Sequence, residues 1–200
     1  MLRLRLFSKV QKKLIDVPGH ELFFAQPSMD HFEAWLEVRT HSQQFLQPWE
    51  PSWPDDDLSL IGYRRRLRAY ERHRQSGWGR TFFLFDGNNR ELLGGVSLTR
   101  ISYGMSMSTT LGYWMGERHA NQGIMKKSVP AILSFAFDDL GLKRVEAACL
   151  PENQRSRHLL RKCGFRQEGY AKEYLEINGK REDHVLFGIL ASDFRRHRVR

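Results

Sequence analysis

The stretch richest in possible chemistry is LGYWMGERHANQGIMKK, residues 111–127. An apolar strand ends there, a polar turn carries Gly123, and a helix begins. Backbone donors of such a turn and of a helix N-terminus suit a pyrophosphate. Gly123 lets a ligand approach the backbone closely, and Lys126 and Lys127 add cationic charge to the first helical turn. The same pattern also serves as an ordinary strand-to-helix connection.

Other candidates lie further apart. Asn153 and Ser156 sit at the start of a short helix over 154–162, where each is either a cap or a polar group at a reaction centre. Glu50 and Glu173 are carboxylates able to take a proton from an amine; a solvated loop position is the plainer reading of Glu50. Trp49 and Trp53 flank Glu50 and either shape an acceptor slot or cover the core. Tyr170 and Tyr174 are acids or strand packing. Asp183 and His184 are neighbours on a strand, so they point to opposite faces and form no dyad. Cys163 lies late in its helix, where the dipole does not activate a thiol, and both it and Cys149 read as packing. No His, Cys, Asp or Glu cluster has metal-ligand spacing, and no metal is expected.

The elements that must position these groups follow from periodicity and turn chemistry. Leu2, Leu4 and Leu6 alternate with arginines as a strand or extended arm, and Glu21–Ala25 reads as a strand. Ser28 opens a helix carrying Phe32, Trp35, Leu36 and Val38. Residues 46–54 (LQPWEPSWP) hold three prolines and no period, which predicts an ordered loop. Asp55–Asp57 are expected to cap a helix with Leu60, Tyr63, Leu67 and Tyr70 on one face, arginines on the rest, and an end near Gly77. A hairpin over Thr81–Ile101, a strand over Thr109–Met115, and a helix over 125–140 bent at Pro130 come next. After a strand over Val145–Leu150, Asn178-Gly179 predicts a two-residue hairpin pairing Ile177 with Lys180 and Glu176 with Arg181. Val185–Leu190, apolar throughout, reads as an interior strand.

Composition sets the outer limits. The 200 residues suit one domain, 40% hydrophobic content excludes a disordered chain, and two cysteines exclude a disulfide framework. No apolar run is long enough to span a bilayer, and the N-terminal charges interrupt any signal-type segment, so a cytoplasmic protein with no membrane partner is expected. The formal net charge of +9 fits either a soluble surface or a polyanionic partner.

Residues 120–125 (Ala-Asn-Gln-Gly-Ile-Met) resemble the Q/R-x-x-G-x-G/A turn of the GNAT N-acetyltransferases, which grips the pyrophosphate of acetyl-CoA. The central glycine is kept, while Ala120 replaces Gln/Arg and Met125 replaces the small residue. Residues 111–116 are similar to the family's strand before that loop, residues 151–156 to its P-x-N-x-x-S segment, and residues 159–169 to its L-L-x-x-x-G-F-x-x-E-G segment. Over about residues 20–190 this combination resembles the RimJ/RimL branch, which acetylates protein N-termini, especially of ribosomal proteins. Lys127 stands where many members of that branch carry an acidic residue.

The resemblance implies a single-domain α/β (α+β) fold with a central mixed, mostly antiparallel, splayed sheet flanked by helices. It places a basic arm or strand at 1–19, the acetyltransferase domain at 20–192 and a basic tail at 193–200. It implies an acetyl-CoA cosubstrate held by Trp114 and Met115 of the strand, by Asn121, Gln122, Gly123, Ile124, Met125, Lys126 and Lys127 of the turn, and by Asn153 and Ser156. Ser156, Asn153, Glu50 and Glu173 are the implied catalytic set, with Trp49, Glu50, Trp53 and Tyr174 at the acceptor. The implied partner is a protein N-terminus, of a ribosomal protein first; separately, the charge of the arginine helix over 64–74 and of the C-terminus fits an electrostatic association with a ribosome or ribosomal RNA, and the chain is expected as a monomer or homodimer. Acetylation of a small amine such as a polyamine or antibiotic, or a non-catalytic RNA-binding module on the same fold, are the alternatives.

Overall fold

The computed structural model describes residues 14–88 and 90–198. The alternation at Leu2–Leu6 lies outside the described residues. In chain order the elements are β1 (Ile15–Asp16), β2 (Leu22–Ala25), α1 (Phe32–His41), α2 (Gln43–Leu46), α3 (Leu60–Gln75), β3 (Arg80–Asp86), β4 (Leu92–Ser102), β5 (Ser108–Met115), α4 (Ile124–Ser134), β6 (Arg144–Cys149), α5 (Gln154–Lys162), β7 (Arg166–Ile177), β8 (Lys180–Leu190) and α6 (Ala191–Arg198).

The strands form one sheet in the order β1-β2-β3-β4-β5-β6-β8-β7. Every pairing is antiparallel except β5 with β6. That parallel pair is short: Ser108–Thr110 meet Arg144–Glu146, and no further pairing continues toward Met115 or Cys149. The two strands part there, which is the splay at the centre of the sheet.

Both faces are covered. Tyr113, Met125, Val129, Ile132, Leu160 and Phe187 belong to one apolar cluster, which seats α4 and α5. Trp35, Tyr63, Phe83, Phe85 and Trp114 belong to the other, which seats α1 and α3. Alternation along β5 therefore sends Tyr113 to one layer and Trp114 to the other. A Cβ at Gly95 would lie 2.5 Å from the Trp114 Nε1, so glycine is what lets the indole lie over β4.

Several boundaries differ from the sequence reading. The N-cap of α3 is Ser59, whose hydroxyl accepts from the Gly62 N–H at 3.0 Å. The aspartates before it are not caps: Asp56 pairs with Arg65 and Asp57 with Arg66, both on α3. The helix begun at Ile124 ends in a wide turn over Phe135–Asp139, where the Leu140 N–H donates to the Phe135 carbonyl. Pro130 lies inside α4 and cannot donate to the Lys126 carbonyl; the Cys163 thiol approaches that carbonyl at 4.0 Å. Residues 191–198 form a helix rather than a bare tail, anchored by Phe194 against Phe137 at 5.5 Å. The hairpin at Asn178-Gly179 has the expected register, with both turn residues at positive φ.

Candidate active site

The turn before α4 is built for donors. Asn121 and Gly123 both take left-handed φ values, 60° and 74°. The Lys127 N–H is the first to close onto the turn, donating to the Gly123 carbonyl. The amides of the preceding residues have no partner within the helix by its geometry. Asn121, Gln122, Lys126 and Lys127 are exposed around them, and the Gln122 amide donates to the Arg118 carbonyl at 2.7 Å. Met125 is only 7% exposed because its side chain enters the core, so only its backbone faces the turn. The family's small residue at this position is thus replaced by one that turns inward.

The gap between β5 and β6 opens beside this turn. Gly116 donates to the Leu93 carbonyl at 2.8 Å, and Gly95 and Trp114 are opposite each other in the same register. In an antiparallel ladder this phase aims the backbone groups of Trp114 at β4 and those of Tyr113 and Met115 into the gap. The backbone donors facing the gap are therefore those of Tyr113 and Met115, while that of Trp114 is turned to β4.

Ser156 and Tyr113 close the gap from opposite sides, their hydroxyls sharing a hydrogen bond at 2.5 Å. Burial pushes the Tyr113 phenol well above its ordinary range, so it stays protonated. Burial also raises the nearby Cys149 thiol, against a hydrogen bond from Ser156. Cys163 is pushed up to about 11 by burial, so neither cysteine is a ready nucleophile. Asn153 is the N-cap of α5: its Oδ1 accepts from the Ser156 N–H at 3.0 Å. The two residues thus divide the roles left open by sequence, one capping and the other reaching across to β5.

The loop after α2 forms the other wall. Glu50 receives two hydrogen bonds from Arg39, at 2.8 and 2.6 Å, and one from the Trp53 indole at 2.8 Å. The Arg39 guanidinium lies 4.0 Å from the Trp53 ring and 5.1 Å from that of Trp114. A carboxylate has about four acceptor positions, so one on Oε1 is left open. The Glu50 carbonyl accepts from the Asn178 N–H, which ties the loop to the β7–β8 turn. Arg155 of α5 lies 5.2 Å from the Phe45 ring and links the two walls, while Trp49 is half-buried in the same loop.

Glu173 is placed differently. It sits at φ 45° within a bulge of β7, its N–H donating to the Asp183 carboxylate at 2.8 Å, and its exposed side chain has no partner among the described residues. Tyr174 packs edge-on against the buried His184 at 5.7 Å, and Asp183 instead accepts from Tyr170. Asp183 and His184 thus have separate surroundings. Among the described residues, no group of His, Cys, Asp and Glu is arranged to hold a metal, and no helix is long and apolar enough to cross a membrane.

Two groups of this site were missed in the sequence. Tyr113 stood only within the strand over Thr109–Met115, and Arg39 was not singled out at all. A signal for Arg39 did exist: it lies on the same helix as Trp35, one turn on, and so shares its inward face.

Known proteins share this fold. Residues 21–166 match the acetyltransferase (GNAT) domain model. The chain is 32% identical to the probable N-acetyltransferase YjcK of Bacillus subtilis, over 88% of this chain and 97% of that protein. It is 30% identical to the [ribosomal protein uS5]-alanine N-acetyltransferase of Escherichia coli, over 81% of this chain and 84% of the other. Mycobacterium smegmatis RimJ, solved in complex with CoA-disulfide, superposes with a TM-score of 0.81 at 28% identity, covering 88% of this chain and 84% of that one. Matched over most of its length by the domain model and by these relatives, the chain belongs to the GNAT acetyltransferase family.

Proposed function

We propose that this protein transfers the acetyl group of acetyl-CoA to the N-terminal α-amino group of a ribosomal protein. The observation that carries the reading is the gap between β5 and β6, with Tyr113 and Ser156 at its fork and the donor-rich turn of α4 beside it. The name of the Escherichia coli relative, a uS5-alanine N-acetyltransferase, and the CoA-disulfide of the Mycobacterium smegmatis structure support the substrate pair.

In this reading the α4 turn receives the pyrophosphate through its backbone donors, with Lys126 and Lys127 adding charge. The amine enters between Trp49, Trp53 and Tyr174, on the wall held by Arg39. An α-amine has a pKa of about 7.7–8.0 against about 10.4 for lysine, so an N-terminus needs far less help to reach its neutral form. The open acceptor position of Glu50 orients this amine, and Glu173 is the alternative carboxylate. The amine nitrogen bonds to the thioester carbon, whose oxygen gains charge opposite the Tyr113 and Met115 backbone donors. The carbon–sulfur bond then breaks. Ser156, backed by the protonated Tyr113, donates a hydrogen bond to the departing sulfur, and the amine proton leaves through solvent or a carboxylate.

Acetyl-CoA titrated into the protein in a calorimeter should give saturable binding, and addition of a peptide with a free N-terminal alanine should release CoA. No heat at high protein concentration contradicts the cosubstrate. Release of CoA with spermidine or an aminoglycoside but not with peptide favours the small-amine alternative.

A further inference from the structure

We propose that the solvent face of α3 is a docking surface for single-stranded RNA. This helix carries six arginines against one glutamate. Three arginines are already engaged: Arg65 with Asp56, Arg66 with Asp57, and Arg74 with Glu71. Arg64, Arg68 and Arg72 are exposed, and none has a side-chain partner among the described residues. They follow at intervals of four, so they form one exposed stripe that winds from the flank of the buried Tyr63 to the face opposite it. The stripe is about 12 Å long, with a charge about every 6 Å. The neighbouring carboxylates, Asp56 and Glu71, are spent on Arg65 and Arg74 and leave the stripe uncompensated.

That geometry suits a nucleic-acid strand. Guanidinium forks bind phosphate oxygens in pairs, and their spacing along the helix is close to that of successive phosphates in an extended strand. At the C-terminal end Trp78 is 42% exposed, one side of its ring covered by His73 at 4.4 Å. An exposed ring beside a phosphate-binding stripe is a place for a base to stack. A membrane surface would call for an apolar rim, and on this face only Ile61, at 70% exposure, is strongly apolar. The inference stands independently of the acetyl-transfer reading, because its readout is binding and not turnover.

The test is fluorescence anisotropy of a labelled oligouridylate of about 16 nucleotides, titrated with the full chain over a salt series. The expected result is tight binding at low salt that weakens steeply with salt. The triple variant Arg64→Gln, Arg68→Gln, Arg72→Gln should lessen the magnitude of the log–log salt slope by about two. Its melting temperature and its rate on a free peptide should be unchanged. Trp78→Leu should weaken binding by about fivefold or more with the slope preserved. A second triple variant, Lys162→Gln, Arg166→Gln, Lys180→Gln, removes the same charge from exposed positions elsewhere and should have little effect. Equal losses in the two triples, no binding at low salt, or binding to phosphatidylserine vesicles in place of RNA would each overturn the proposal.

Discussion

The hydroxyls of Tyr113 and Ser156 meet at 2.5 Å across the opening where β5 and β6 part. One belongs to the strand whose backbone faces the gap and the other to the helix that walls it. Ser156→Ala should therefore lower kcat about 10²-fold with little change in KM for acetyl-CoA. Tyr113→Phe leaves Ser156 without its partner and should cost about tenfold. Steady-state kinetics with both substrates varied separates these effects from weakened binding.

Arg39 and Glu50 form a salt bridge in the loop wall after α2, their side chains 4% and 21% exposed. Arg39→Met strands a carboxylate and should destabilise the fold by about 3–5 kcal/mol, read by urea denaturation. Adding Glu50→Gln should recover part of that loss, because the stranded charge is gone. Additive losses in the double variant would show that the two residues act separately.

His31 is 4% exposed, and its pKa is lowered from 6.5, mainly by burial. The unfolded chain then binds a proton that the folded chain resists, so stability falls as pH drops below about 6.5. The ring nitrogen Nδ1 also accepts from the Ser28 N–H at 3.1 Å, which a protonated ring cannot do. The drop in melting temperature between pH 7.5 and pH 5.5 should shrink in His31→Asn, whose amide oxygen can still accept. An unchanged drop would place the acid sensitivity elsewhere.

Much of this arrangement was legible in the chain. The strand–turn–helix around Gly123 and the hairpin at Asn178-Gly179 follow from local rules, since turn residues act on their immediate neighbours. The α3 cap was misread because three aspartates precede Ser59, and only the fold shows that two of them are drawn to arginines nine residues on. The direction of the Trp114 backbone depends on the phase of its pairing with β4, which no single strand encodes. Tyr113 and Arg39 gained their roles from partners 43 and 11 residues away. Such contacts carry no period in the sequence.

If an N-terminal amine is the acceptor, kcat/KM for peptide should rise with pH and level off near the amine pKa, about 8. A rise continuing toward pH 10 would mark a lysine acceptor.

The proposed transfer is tested most directly by mass spectrometry of a peptide with a free N-terminal alanine and one internal lysine, incubated with the protein and acetyl-CoA. The predicted product is heavier by about 42 Da, with fragmentation placing the acetyl group on the N-terminal nitrogen. An acetyl group on the lysine, or an unmodified peptide beside consumed acetyl-CoA, would contradict it.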